Sequence, residues 1–259
     1  YVAIDRPDED HSHAHPGDNP DATARSILFG VLQHVGAELS AHQMITAEQE
    51  RWGSISQLAA EYETIAQEAQ ADRWHTLLAK SGLTTEQVES ILVSDAYGAL
   101  SAEFRSAEAN HHNLDQLLPR LIQIRGFEDA DDIASVLHAR VARATARPAG
   151  SGRTRTPPRF IVGLIPNADG PMDAEMHQAL TERRDLIEQR ATTLLHGALT
   201  NGEPWTNQLG TKPAEPKKQA AWLKAAHTVV AYRDRYQVTD NYAPLGPDPD
   251  SQNVKQKID

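Results

Sequence analysis

Residues 133–168, IASVLHARVARATARPAGSGRTRTPPRFIVGLIPNA, contain no acidic side chain, although the whole chain carries 36. Six arginines lie in this stretch: Arg140, Arg143, Arg147, Arg153, Arg155 and Arg159. Ile133, Val136, Leu137 and Val141 recur at helical spacing, and basic residues suit the C-terminal end of the helix they predict. Pro148 stops that helix, Gly150, Ser151 and Gly152 are conformationally permissive, and Pro157-Pro158 enforces extended backbone. The stretch therefore reads as a basic surface connector between two helical bodies.

The composition agrees with a helical fold. Of 259 residues 39% are apolar and only 5% aromatic, a balance that favours helices packed through Ala and Leu over a sheet sandwich. The fold class expected is all-α, with flexible segments at both ends. No cysteine is present, so disulfides, thiolate zinc sites and cysteine nucleophiles are excluded together, and a reducing cytoplasm fits. No apolar run approaches the ~18 residues of a membrane span, and no charged-then-apolar leader opens the chain. Opening on Tyr1 rather than Met, the sequence is expected to be a piece of something longer, so its net charge of −11 describes the piece.

Residues 1–20 begin with a β-like run, Tyr1 to Ile4, and continue as DRPDEDHSHAHPGDNP, too polar to bury a core and expected to be a linker. His11, His13 and His15 alternate there, but without Cys or a rigid supporting shell they are read as solvated, and no metal site is assigned. Asn19-Pro20 opens a helix carrying Ile27, Leu28, Val31, Leu32 and Val35. A long amphipathic stretch follows through Ile55, Leu58, Tyr62, Ile65 and Ala69 to Trp74, Leu77 and Leu78, with Glu61 and Glu63 on its solvated side.

Thr84-Thr85-Glu86-Gln87 reads as a capping box, Asp95 as the cap of the next helix, and Asn113 as the cap of one running to Gly126. Pro119 inside that last pattern is expected to kink or divide it. His111 and His112, being adjacent, cannot converge on one point of a helix and are read as solvated loop residues. After the connector, Phe160 to Ile165 is expected to lie as buried extended chain against helices. A helix from Asp173 to about Leu199 carries opposite charges three and four apart, and a final helix opens near Pro216. The resulting division is residues 1–20 (linker), 21–146 (first helical body), 147–159 (connector), 160–238 (second helical body) and 239–259 (mobile tail).

Several long motifs resemble one family. AELSAHQMI with ERWGSISQLAAEYE, RATARPAGSGRTR with FIVGLIPNADGPM, EPWTNQLG, and AAWLKAAHTVVAYRDRYQVTD with PLGP resemble the C-terminal region of actinobacterial conjugative relaxases of the MobF class. Those proteins join an N-terminal DNA-nicking transesterase to a superfamily 1 helicase, followed by a tail of this type. The resemblance spans nearly the whole chain. It implies a cytoplasmic accessory domain of a plasmid-mobilisation enzyme, with relaxosome or secretion-channel proteins as partners. No catalytic residue carries over, because the chain holds neither a G-x-x-x-x-G-K-[ST] phosphate loop nor a nicking motif, and no cofactor is implied. A protein-docking role is the first expectation. The alternative is contact with single-stranded DNA through the Arg140 to Arg159 strip, with Arg143, Arg147, Arg153, Arg155 and Arg159 as the contacting residues.

Overall fold

The computed structural model describes residues 41–150, 156–249 and 256. Residues 50–259 form one compact unit; of residues 1–49 only the start of helix α1 (Ala41–Trp52) is described. The expected strand at residues 1–4, the linker with His11, His13 and His15, the helix from Asn19, Arg153, Arg155 and residues 250–255 and 257–259 lie outside the described residues.

The expectation of a helical protein holds. Helices α2 (Ile55–Ala69), α3 (Ala71–Lys80), α4 (Thr85–Val93), α5 (Tyr97–Ala109), α6 (Leu114–Ile124) and α7 (Ile133–Thr145) precede a minimal hairpin, β1 (Phe160–Ile161) and β2 (Ile165–Pro166). Helix α8 (Ala174–Asn201), a 3-10 turn (Pro204–Leu209) and helix α9 (Pro216–Arg235) follow.

The apolar stripe that reads as one long helix is divided at Gln70, which ends α2 and begins α3. No Gly or Pro marks this break. Its reason is tertiary, since Gln70 is fully buried and donates through Nε2 to the carbonyl of Asp169 at 2.7 Å. The two halves of the stripe then serve different cores. Ile55, Leu58, Tyr62 and Ala66 of α2 pack with the hairpin, α8 and α9, whereas Trp74, Leu77 and Leu78 of α3 join α4 to α7 around Phe104 and Leu137. The division into bodies at residues 21–146 and 160–238 is corrected accordingly: α2 belongs with the later helices.

Local signals mostly hold. Thr84 forms its capping box with Gln87, and Asn113 accepts from the N–H of Gln116. Asp95 is not a cap; α5 begins after Ala96, whose N–H donates to Ser94 Oγ at 3.0 Å. Pro119 sits within an undivided α6, where the missing N–H removes one bond of the ladder and the buried Leu114, Leu118 and Leu121 hold the helix together. The segment after Pro158 does not lie as a single extended strand but folds back on itself. Val162 (φ 45°) and Gly163 (φ 81°) make the turn, and a Cβ on Gly163 would come within 2.3 Å of Thr228 Oγ1, so only glycine lets the hairpin tip approach α9.

The charged residues of the long helices also behave differently from the expectation of local pairing. Arg183 Nε lies 2.6 Å from Glu61 Oε2, Arg190 Nη2 3.0 Å from Asp234 Oδ1, and Arg235 Nη2 3.1 Å from Glu63 Oε1. These pairs join helices instead of stabilising one. Asp234 also accepts the N–H of Ile55 at 2.6 Å, so α9 supplies a cap for the start of α2. The start of the tail expected to be mobile, residues 239–259, is folded instead: residues 240–246 return over the end of α9, held by Arg233.

Candidate functional site

Helix α5 ends by placing His111 in the left-handed region at φ 65°, with the N–H of His112 donating to Ala107 O at 2.9 Å and that of His111 to Glu108 O at 2.8 Å. This is the Schellman pattern, with histidine at the position glycine usually takes. The turn directs both imidazoles onto the arginine stretch. His111 Nε2 lies 2.8 Å from the carbonyl of Pro157, and His112 Nε2 lies 2.7 Å from that of Arg147. A carbonyl only accepts, so each Nε2 must carry the proton in these bonds. Two backbone bonds reinforce them, Ala149 N–H to Asn110 O at 2.8 Å and Arg159 N–H to Ala109 O at 2.9 Å.

The reading of His111 and His112 as merely solvated is therefore corrected, and so is that of residues 147–159 as a free connector. Both ends of the segment are fastened to one turn, residues 109–112.

Beside this turn lies an open polar cleft of about 410 Å³, lined among others by Arg73, Glu108, His111, His112, Arg159 and Asp169. Four of its charged groups, Arg73, Glu108, Arg159 and Asp169, are engaged in pairs. Arg73 forms a two-point pair with Glu108, one arm at 2.8 Å, and reaches the carbonyl of Asp169 at 3.0 Å. Its guanidinium also stacks over Trp74 at 4.5 Å. Arg159 Nη1 lies 2.8 Å from Asp169 Oδ2 as an ion pair without hydrogen-bond alignment, and its Nη2 donates to Glu108 O at 3.1 Å. Gly170 (φ 107°) leaves room for Arg73, since a Cβ there would sit 3.0 Å from Nη1.

Behind the cleft the buried Tyr62 hydroxyl accepts the N–H of Ala168 at 2.8 Å and donates to Asn167 Oδ1 at 3.3 Å. Burial pushes its ionisation up, and the Ala168 N–H offsets part of that rise. The cleft is thus a polar seam between the two cores. It holds no nucleophile paired with a base, and among the described residues no three His, Asp or Glu side chains gather as a metal site.

The arginines proposed from sequence are not equivalent. Arg140 is withdrawn into the fold: it donates to the carbonyls of Leu121, Arg125 and Gly126 at 3.1, 2.7 and 3.0 Å and stacks over Phe127. Arg159 is engaged at the cleft. Arg143 and Arg147 remain exposed. Arg153 and Arg155 lie outside the described residues.

Sequence reading missed Arg73, Glu108 and Asp169 because they are 35 to 96 positions apart and meet only through packing. The Asn-Ala-Asp-Gly run at residues 167–170, a composition typical of turns, was the one local signal available.

No protein-family model, curated protein or solved structure matches the chain. Among the described residues no helix is long and apolar enough to cross a membrane.

Proposed function

We propose that the chain is a non-catalytic protein-docking module, the cytoplasmic C-terminal accessory region of a MobF-class conjugative relaxase-helicase, and that it binds relaxosome or secretion-channel proteins. The observation that carries docking over nucleic-acid binding is the engagement of Arg140 and Arg159 with the protein's own carbonyls and carboxylates. With two of the six arginines of the strip engaged and a net charge of −11, little cationic field is left for phosphate at physiological salt. The second reading, a single-stranded DNA contact, rests on the exposure of Arg143 and Arg147.

The test is titration of the purified chain with a single-stranded oligonucleotide across a salt series, alongside binding to purified relaxosome and coupling proteins. Binding to one of those proteins and negligible DNA affinity are expected, with no plasmid nicking and no ATP hydrolysis. A tight DNA complex at physiological salt, lost when Arg143, Arg147, Arg153, Arg155 and Arg159 become Ala, would reverse the order of the readings. Each lost phosphate contact should then flatten the log-log salt slope by about 0.7.

A further inference from the structure

Residues 240–248 follow α9 and carry two large apolar side chains into solvent, Tyr242 (73% exposed) and Leu245 (51%). The backbone beneath them is held on several sides. Arg233 donates to the carbonyls of Asp240, Ala243 and Pro244 at 2.7, 2.9 and 3.1 Å, and its guanidinium stacks over the buried Trp205 at 4.6 Å. Asp240 Oδ1 accepts the N–H groups of Tyr242 and Ala243, each at 2.7 Å. Gln208 Nε2 donates to the carbonyl of Tyr242 at 2.8 Å. Gly246 (φ 71°) closes the loop with its N–H on Ala243 O, and a Cβ there would meet Val238 Cγ1 at 2.8 Å, so the chain returns hard against the end of α9.

Ordering a loop costs conformational entropy, and leaving most of a tyrosine and half of a leucine in water on it forgoes much of the apolar burial that could offset that cost. A fixed aromatic on a pre-ordered loop does lower the entropic cost of an encounter, because little remains to be immobilised on binding. Within residues 240–248 the charged side chains are Asp240 and Asp248, which flank the two apolar ones, while Arg233 of α9 faces the carbonyls beneath them.

We propose that residues 240–248 are the surface through which this chain docks, taking a partner protein whose apolar pocket, filled by Tyr242 and Leu245, is bordered by lysine or arginine. This rests on the docking reading above and names the face that performs it. Opposite charge at the rim sets orientation and the rate of encounter, and the two apolar side chains set the lifetime of the complex.

The test places a photoreactive benzophenone amino acid at Tyr242 of the full chain, and separately at Leu199 on α8 as an exposed apolar control, in the presence of the relaxosome or coupling protein that the unmodified chain binds. Crosslinking from position 242 and not from 199 is expected. The variant Tyr242→Ala/Leu245→Ser should weaken binding at least tenfold, and Asp240→Asn/Asp248→Asn should flatten its salt dependence. Circular dichroism and the thermal midpoint check that the fold is intact; if a variant melts early, the crosslinks decide. A partner that binds the double variant normally, or crosslinks only from 199, overturns this surface and leaves the docking reading standing. Crosslinks from 242 to a second copy of the chain overturn the stated partner. Failure of the unmodified chain to bind any of those proteins removes both readings.

Discussion

Replacing Arg140 with Ala should destabilise the protein by about 3 kcal/mol. The last four carbonyls of a helix have no partner within it, and Arg140 reaches one of them, that of Leu121, together with the carbonyls of Arg125 and Gly126 just beyond α6. A hydrogen bond to a charged group contributes about 1.5–3 kcal/mol when buried; two of these three are solvent-exposed, so about 2–2.5 kcal/mol for the set is reasonable. The stack over Phe127, a core residue, adds about 0.5–1 kcal/mol. For a unit of this size a loss of 3 kcal/mol lowers the thermal midpoint by about 6–12 °C. The assay is urea denaturation followed by circular dichroism, with Arg140→Lys as a second variant. Lysine keeps the charge but cannot present a planar fork to three carbonyls, so it should recover less than half of the loss. If Arg140→Ala costs under 1 kcal/mol, or if Lys restores full stability, the assignment of Arg140 to the fold is wrong and the residue returns to the set available for phosphate.

Three further outcomes are expected. Burial raises the Glu103 carboxyl above its ordinary 4.5, opposed by the Thr145 hydroxyl at 3.0 Å and by His138. A raised carboxyl contributes stability below the unfolded-state value and loses it as pH rises through the folded value, so Glu103→Gln should raise the thermal midpoint at pH 8. That gain should vanish below about pH 4.5, and an equal gain at both pH values would show that charge is not the cause. Trypsin should cut after Arg153 and Arg155 well before Arg159, whose N–H and side chain are both engaged. His111→Ala/His112→Ala should bring cleavage after Arg159 forward, and an unchanged order of fragments would argue against the histidine fastening.

Most of the helices were legible in the chain's own residues, because their signals are local. The Thr84 box, the Asn113 cap, the stop at Pro148 and the 3.6-residue apolar periodicity each act within a turn or two of chain. The lack of cysteine and of a phosphate-loop motif is equally plain there, as a matter of composition and motif. Which core each helix serves depends on packing between distant parts of the chain. Gln70 breaks a continuous apolar stripe because its amide reaches Asp169, a partner 99 positions away that no local pattern announces. The arginines show the same division. Their clustering is plain in the sequence, but whether a guanidinium meets solvent, a helix end or a carboxylate depends on what packing brings beside it. Thus Arg140 and Arg159 became parts of the fold while Arg143, one turn from Arg140, stayed in water.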